Sequence, residues 1–457
     1  MKGHNLWSDT VYQPLLWERG DIYISRLAPG KDRIHMEWLP VGGETSVYLR
    51  KREEEDFICV GSTDGTEFDI TGLDTNCDYA FYLKSGERKS TVRLARTGEA
   101  VGTVVNYLHP EDPYYAFSGQ YLCSPSLLRL PDGGLLASMD LFGYNTPQNL
   151  TLIFRSDDDG KTWHHLSELM PCFWGKLFAH KGEVYMLACS TEYGDLLIGK
   201  STDGGKTFCQ PVTLLRGSNG KGGNCGVHKN PQPLFRHKGR LYGTLEWGAW
   251  ANKEFCHAAM VMSCDENADL LDPESWHFTP PVKFDHFTPE LRELPKITQT
   301  IEGTLALSPE GQLLNIMRFG MHGKVMAYLV NTGDPDAPLT FHSLIDMPTT
   351  TTKFTIKHDP VSEKYYAIIC RIHEGEGNQR RNLLSLVASK DLRSWETLCD
   401  LIDFRHCDGD MHGFQYVDFI MEGDDILWLC RTAMNEPHNY HDANYSTFHR
   451  LHNFRKL

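Results

Sequence analysis

The sequence predicts an all-β protein, a six-bladed β-propeller preceded by a small β-sandwich. Three observations carry that expectation. First, two turns of one pattern recur, Ser156-Asp-Asp-Asp-Gly-Lys-Thr-Trp163 and Ser201-Thr-Asp-Gly-Gly-Lys-Thr-Phe208. Self-similarity at a fixed period of about 45 residues marks a repeat architecture. Asp and Gly suit a tight hairpin turn, Ser and Thr bond locally, and the ring pins the turn to its sheet. Second, six hairpins lead through apolar strands to the marked positions Asp140, Cys189, Glu246, Arg318, Arg371 and Arg431, each seven residues beyond the turn. At roughly 3.3 Å per residue such strands deliver all six positions to one height, on a common rim of a propeller's channel. Third, short runs before residue 98 alternate with strand period.

In chain order, residues 1–19 form an N-terminal segment, 20–98 a small all-β module and 99–457 the propeller. In the module, Ile34–Trp38, Ser46–Arg50 and Thr66–Ile70 are the expected strands, and Thr71-Gly-Leu73-Asp-Thr-Asn-Cys-Asp-Tyr79 follows. This stretch resembles a fibronectin type III domain, with Trp38 as core tryptophan and Leu73 and Tyr79 in that family's leucine and tyrosine positions. The segment Ser446–Phe454 is expected to be the outer strand of the last blade.

Composition excludes several classes. The 457 residues are 40% hydrophobic and 11% aromatic, enough for a large core, and no run reaches membrane-spanning length. The start, Met1-Lys-Gly-His-Asn-Leu-Trp7, has no apolar run with a cleavage site, so a cytoplasmic location is expected. Thirteen cysteines form no paired framework, and Cys189, Cys370 and Cys430 lie within apolar strands, where a thiol is a small core residue. A net charge of −15 argues against nucleic acid but leaves room for a basic pocket on an acidic protein. A carbohydrate is the expected substrate. No cofactor or metal is expected, and self-association is left open.

Arg318, Arg371 and Arg431 following apolar strands ask for anions, either neighbouring carboxylates or an acidic ligand. Glu246 shares their rim. His228, His322 and His412 fall near channel-facing strand ends, where a histidine could bind substrate or move a proton.

The repeated turns fit the Asp box, and from roughly residue 115 to the C-terminus the chain resembles the sialidase superfamily of six-bladed propellers. The resemblance rests on Glu302 followed sixteen residues later by Arg318, on Arg380-Arg381-Asn382-Leu383 before a degraded box at Ser389-Lys-Asp391, and on Phe414-Gln-Tyr416-Val-Asp418 opening the last blade. It implies that Tyr416 is the nucleophile, Glu302 its base, and Arg318 with Arg381 or Arg380 the clamp for a substrate carboxylate. Asp140 is then the nearest candidate for general acid. A tyrosine suits this chemistry because a carboxylate nucleophile would be repelled by an anomeric carbon that itself bears a carboxylate. The family's blade-one arginine is replaced here by Leu122-Cys-Ser-Pro125, which leaves Arg371 or Arg431 to complete the clamp. Two alternatives remain, a uronate-directed polysaccharide lyase and a non-catalytic glycan-binding propeller.

Overall fold

The computed structural model describes residues 21–219, 223–252, 256–284, 288–292, 300–374 and 380–457, so the expected segment 1–19 lies outside the described residues. Two sheets open the chain. One pairs Ile24–Pro29, Arg33–Trp38 and Glu67–Thr71; the other is built on Thr45–Lys51 and Asp78–Ser85. Ile34, Met36 and Trp38 of the first share a buried cluster with Val47, Leu49 and Phe81 of the second. The Tyr79 hydroxyl accepts a hydrogen bond from the Asp74 amide at 2.9 Å, fixing the turn before its strand.

Six further sheets follow in chain order, each of four strands except the third, which has five. Their first strands begin with Tyr121–Arg129, Phe173–His180, Gly226–His228, Thr300–Leu307, Ile356–Asp359 and Gly413–Glu422. Each sheet packs on the next, and the last on the first through Tyr121–Arg129, an all-β ring consistent with a propeller. Tyr445–Leu451 is the third strand of the last sheet, and Thr103–Tyr107 pairs outside it. The expected outer strand is therefore an inner one, because the segment before the first sheet closes the ring. Closing the ring covers the outer faces that the first and last sheets of an open row would expose.

The repeated turns are locked as their residue types require. Ser156 Oγ accepts from Gly160 N at 2.8 Å, Thr162 Oγ1 donates to Asp158 Oδ2 at 2.6 Å, and Trp163 is fully buried. The second copy repeats this with Ser201, Asp203, Gly205, Thr207 and buried Phe208.

The marked positions share one register. Asp140 pairs with Cys123, Cys189 with Phe173, Glu246 with His228, Arg318 with Ile301 and Arg431 with Gln415. Immediately beyond those partners, four first strands carry a bulge, and one residue in each adopts a left-handed backbone. These are Ser124 (φ 41°), Trp174 (52°), Glu302 (59°) and Tyr416 (56°). Such a conformation costs of order 1–3 kcal/mol per non-glycine residue and re-aims its side chain. Here the bulges sit beside one cavity.

Candidate active site

The cavity at this end of the ring holds about 540 Å³ and is lined by side chains from several sheets, among them Trp174, His228, Glu302, Arg318, Tyr416 and Arg431. That is the volume of a ligand pocket for a small molecule. At its centre Tyr416 Oη donates to Glu302 Oε1 at 2.7 Å, and Arg318 Nη1 donates to Glu302 Oε2 at 2.7 Å and to Tyr416 Oη at 3.3 Å. The Glu302 bulge depends on Gly303, where an added Cβ would lie 2.1 Å from Asn315 Oδ1.

Burial alone would raise the Glu302 carboxyl, but Arg318, His228 and the two hydrogen bonds outweigh it and hold the group below its ordinary value. Burial, with the Glu302 charge beside it, raises the Tyr416 phenol. Glu302 is thus an ionised acceptor already bonded to a neutral phenol, the arrangement of a nucleophile with its base.

Two more guanidiniums face the same ring. Arg381 Cζ lies 5.9 Å and Arg431 Cζ 5.1 Å from the Tyr416 centroid. Arg381 is delivered by the loop before Leu383–Ser389, and its carbonyl accepts from Phe414 N at 2.7 Å, tying it to the Tyr416 strand. Its Nη1 donates to Gln415 Oε1. Arg431 Nη1 reaches Cys123 Sγ at 3.1 Å, beside Ser124, where the first sheet offers no arginine of its own. Neither has a carboxylate partner among the described residues, and both leave a buried Nε without an acceptor. Burial lowers the Arg381 guanidinium from its ordinary value, a measure of how poorly the site solvates it.

The structure brings together Tyr416, Glu302, Arg318, Arg381, Arg431 and His228, and keeps six other expected residues apart. Asp140 is fully buried below the cavity, bonded to Thr151 Oγ1 at 2.5 Å and to the Trp174 amide at 2.7 Å. Thr151 Oγ1 also lies 3.0 Å from the Cys172 carbonyl, and one hydroxyl proton cannot serve both oxygens. A protonated Asp140 resolves this, and burial pushes its carboxyl up to about 7. Asp140 bonds the Trp174 bulge and does not line the cavity. Arg371 is bidentate to Asp400 at 2.8 Å and faces away, because its side chain follows its own sheet outward. Arg380 pairs with Asp410 at the surface. His412 stacks on Phe404 and bonds the Asp408 carbonyl at 2.8 Å, and half-buried His322 lies outside the cavity lining. Glu246 is buried behind His228, 2.6 Å from its Nδ1.

No sequence pattern assigned a site role to Trp174, to His441 or to the floor of the channel. His441 sits against Arg431 and bonds Asp442 Oδ1 at 2.8 Å; burial and Arg431 push its imidazole down to about 3. Deeper in the ring, Lys176 is paired with Asp418, both buried, and Lys353 donates to the Val417 carbonyl at 3.0 Å. Burial brings the Lys353 and Lys357 amines down to about 8, while Lys176, Lys357 and Lys353 together outweigh burial at Asp418 and hold it low. Among the described residues a metal-compatible grouping occurs at His35, Glu37 and Glu67, in the N-terminal module, where Glu37 already bonds Arg26 at 2.8 Å.

No protein-family model and no curated protein matches the chain. Solved structures do. An α-L-arabinanase of Penicillium chrysogenum complexed with arabinobiose superposes with a TM-score of 0.51 at 14% identity, covering 78% of this chain and 99% of its own. The Hadza microbial sialidase Hz136 gives 0.50 at 13%, covering 94% of each. A leech intramolecular trans-sialidase gives 0.50 at 10%, covering 95% and 92%. At such identities the likeness establishes the fold, a sialidase-like propeller, and no more. No helix among the described residues is long and apolar enough to cross a membrane.

Proposed function

We propose that this protein is a sialidase-like glycoside hydrolase that removes a terminal acidic sugar, and that its fold is a six-bladed propeller (residues 99–457) behind a fibronectin type III-like sandwich (20–98). One observation carries the reading. A tyrosine–carboxylate pair at 2.7 Å stands beside two buried guanidiniums that have no carboxylate partner among the described residues. Unpaired buried cations are costly, and a ligand carboxylate supplies the missing charge.

The sugar carboxylate sits on Arg318, Arg381 and Arg431, with Arg431 standing in for the arginine the first sheet lacks. Tyr416 attacks the anomeric carbon while Glu302 takes its proton, and water then releases the sugar from Tyr416. Two displacements at one carbon give net retention. Two structural neighbours are a sialidase and an intramolecular trans-sialidase, and two others are an α-L-arabinanase and an α-L-arabinofuranosidase. The guanidinium cluster favours the acidic sugar over a neutral arabinan.

The test is mass spectrometry of a mixed acidic-glycan pool after incubation with the protein. Fragments that together gain one water, with release of a nonulosonic acid, are expected. Unsaturated fragments summing to the parent mass would make it a lyase, and unchanged masses would leave a binding protein.

A further inference from the structure

We infer that the imidazole of His228, held by Glu246, donates the proton to the departing alcohol, the role Asp140 is too deep to fill. This rests on the reading of the site as that of a glycosidase.

Position comes first. The six sheets follow one another around the ring, so the third, bearing His228, faces the sixth, bearing Tyr416. Glu302, on the fourth, feels the His228 charge as well as bonding Tyr416. A sugar whose carboxylate lies on the arginines is therefore flanked by Tyr416 on one side and His228 on the other. Attack and departure at one carbon require groups on opposite faces.

Chemistry comes second. Glu246 Oε2 lies 2.6 Å from His228 Nδ1, and its Oε1 accepts from Gly303 N at 3.3 Å, so one buried carboxylate fixes both the imidazole and the Glu302 bulge. With Nδ1 committed, Nε2 exchanges the proton with the cavity. Nε2 has no hydrogen-bond partner among the described residues, and the ring is held edge-on to Trp174, centroids 4.2 Å apart. Glu246 balances the charge when both nitrogens carry hydrogens. His441, the other cavity histidine bonded to a carboxylate, is kept neutral by burial and Arg431. Glu192, also in the lining, is half-exposed and accepts from Gln148 Nε2 at 3.0 Å, in a loop of the second sheet.

The step balances. The Tyr416 Oη–carbon bond forms as the bond from the anomeric carbon to the leaving oxygen breaks. That electron pair takes the Nε2 proton and departs as the alcohol, while Glu302 holds the tyrosine proton. In the second displacement water bonds the anomeric carbon and returns a proton to Nε2. The tyrosine–carbon bond breaks, and Glu302 gives its proton back.

The experiment compares His228→Gln with the wild type on two glycosides of N-acetylneuraminic acid, one carrying methanol and one 4-nitrophenol as leaving group. General acid catalysis contributes roughly 10²–10⁴-fold, so kcat/KM on the methyl glycoside should fall by at least about 100-fold. On the nitrophenyl glycoside, whose leaving group needs no proton, it should fall less than about tenfold. Glu246→Gln, which keeps a hydrogen-bond partner, should show the same split in milder form. Equal losses on both substrates would overturn the proposal in favour of a structural His228. The same split in Glu192→Gln instead would assign the proton to Glu192. A wild type inactive on both glycosides would remove the underlying hydrolase reading, and that failure is separate because it needs no variant to appear.

Discussion

Tyr416 and Glu302, separated by 114 positions, meet at 2.7 Å because each occupies the left-handed residue of a bulge in a first strand. Neither side chain is placed by an ordinary strand. The backbone strain is carried by Gly303 behind one bulge and by the Lys353 ammonium on the Val417 carbonyl behind the other. In the proposed mechanism the nucleophile and its base are thus prealigned before substrate arrives.

Tyr416→Phe keeps the ring under Arg381 and Arg431 and removes only the hydroxyl. Turnover should drop at least about 1,000-fold, since the whole covalent route is lost. Affinity for the free acidic sugar, measured calorimetrically, should change less than about fivefold. Retained turnover would move the nucleophile elsewhere.

Arg431→Met should raise KM for an acidic substrate by roughly 10–100-fold, the worth of one charge-assisted hydrogen bond. The matching carboxamide should bind the variant and the wild type alike. Arg431 Cζ also lies 5.7 Å from the Phe142 ring centroid, and an equal penalty on both would mean that Arg431 only packs against Phe142 and Tyr416.

The scaffold was largely legible in the sequence. The two Ser-x-Asp-x-Gly-x-Thr turns foretold their hydrogen bonds, and even spacing set Asp140, Glu246, Arg318 and Arg431 in one register. What register could not say is where each side chain turns. Asp140 binds the next sheet's bulge and Arg371 its own sheet's Asp400, because both found partners outside the cavity. The Lys176–Asp418 floor was illegible because its members lie on different sheets, with no local spacing between them. The closing strand Thr103–Tyr107 stayed hidden for the same reason.

Asp140 gives a pH test. Its folded value is raised from 3.8 to about 7, so its contribution is fully present below 3.8 and is lost as pH rises through about 7. Asp140→Asn mimics the protonated form at every pH. Urea unfolding between pH 4 and 8 should show wild-type stability falling relative to the variant by up to about 4 kcal/mol. A constant difference would mean that Asp140 is ionised throughout.

Asp418 bears the opposite sign. It pairs with Lys176, accepts from Leu127 N at 2.7 Å, and neutralises a floor otherwise occupied by ammoniums. Asp418→Asn should cost about 3–5 kcal/mol at pH 7, the penalty for stranding a buried charge. Part of that loss should be recovered by adding Lys176→Met. A single-variant loss under about 1 kcal/mol would show that water already solvates the floor.

Covalent catalysis by Tyr416 on an acidic sugar passes through a glycosyl–tyrosine intermediate that can be trapped. A sialyl fluoride carrying a second fluorine at the carbon beside the anomeric centre slows release more than attack, so the intermediate should accumulate. Intact-mass and peptide analysis should find one glycosyl group per chain on the peptide containing Tyr416, and none on Tyr416→Phe. A label on another residue, or unlabelled protein that still cleaves acidic glycans, would rule out Tyr416 as the nucleophile.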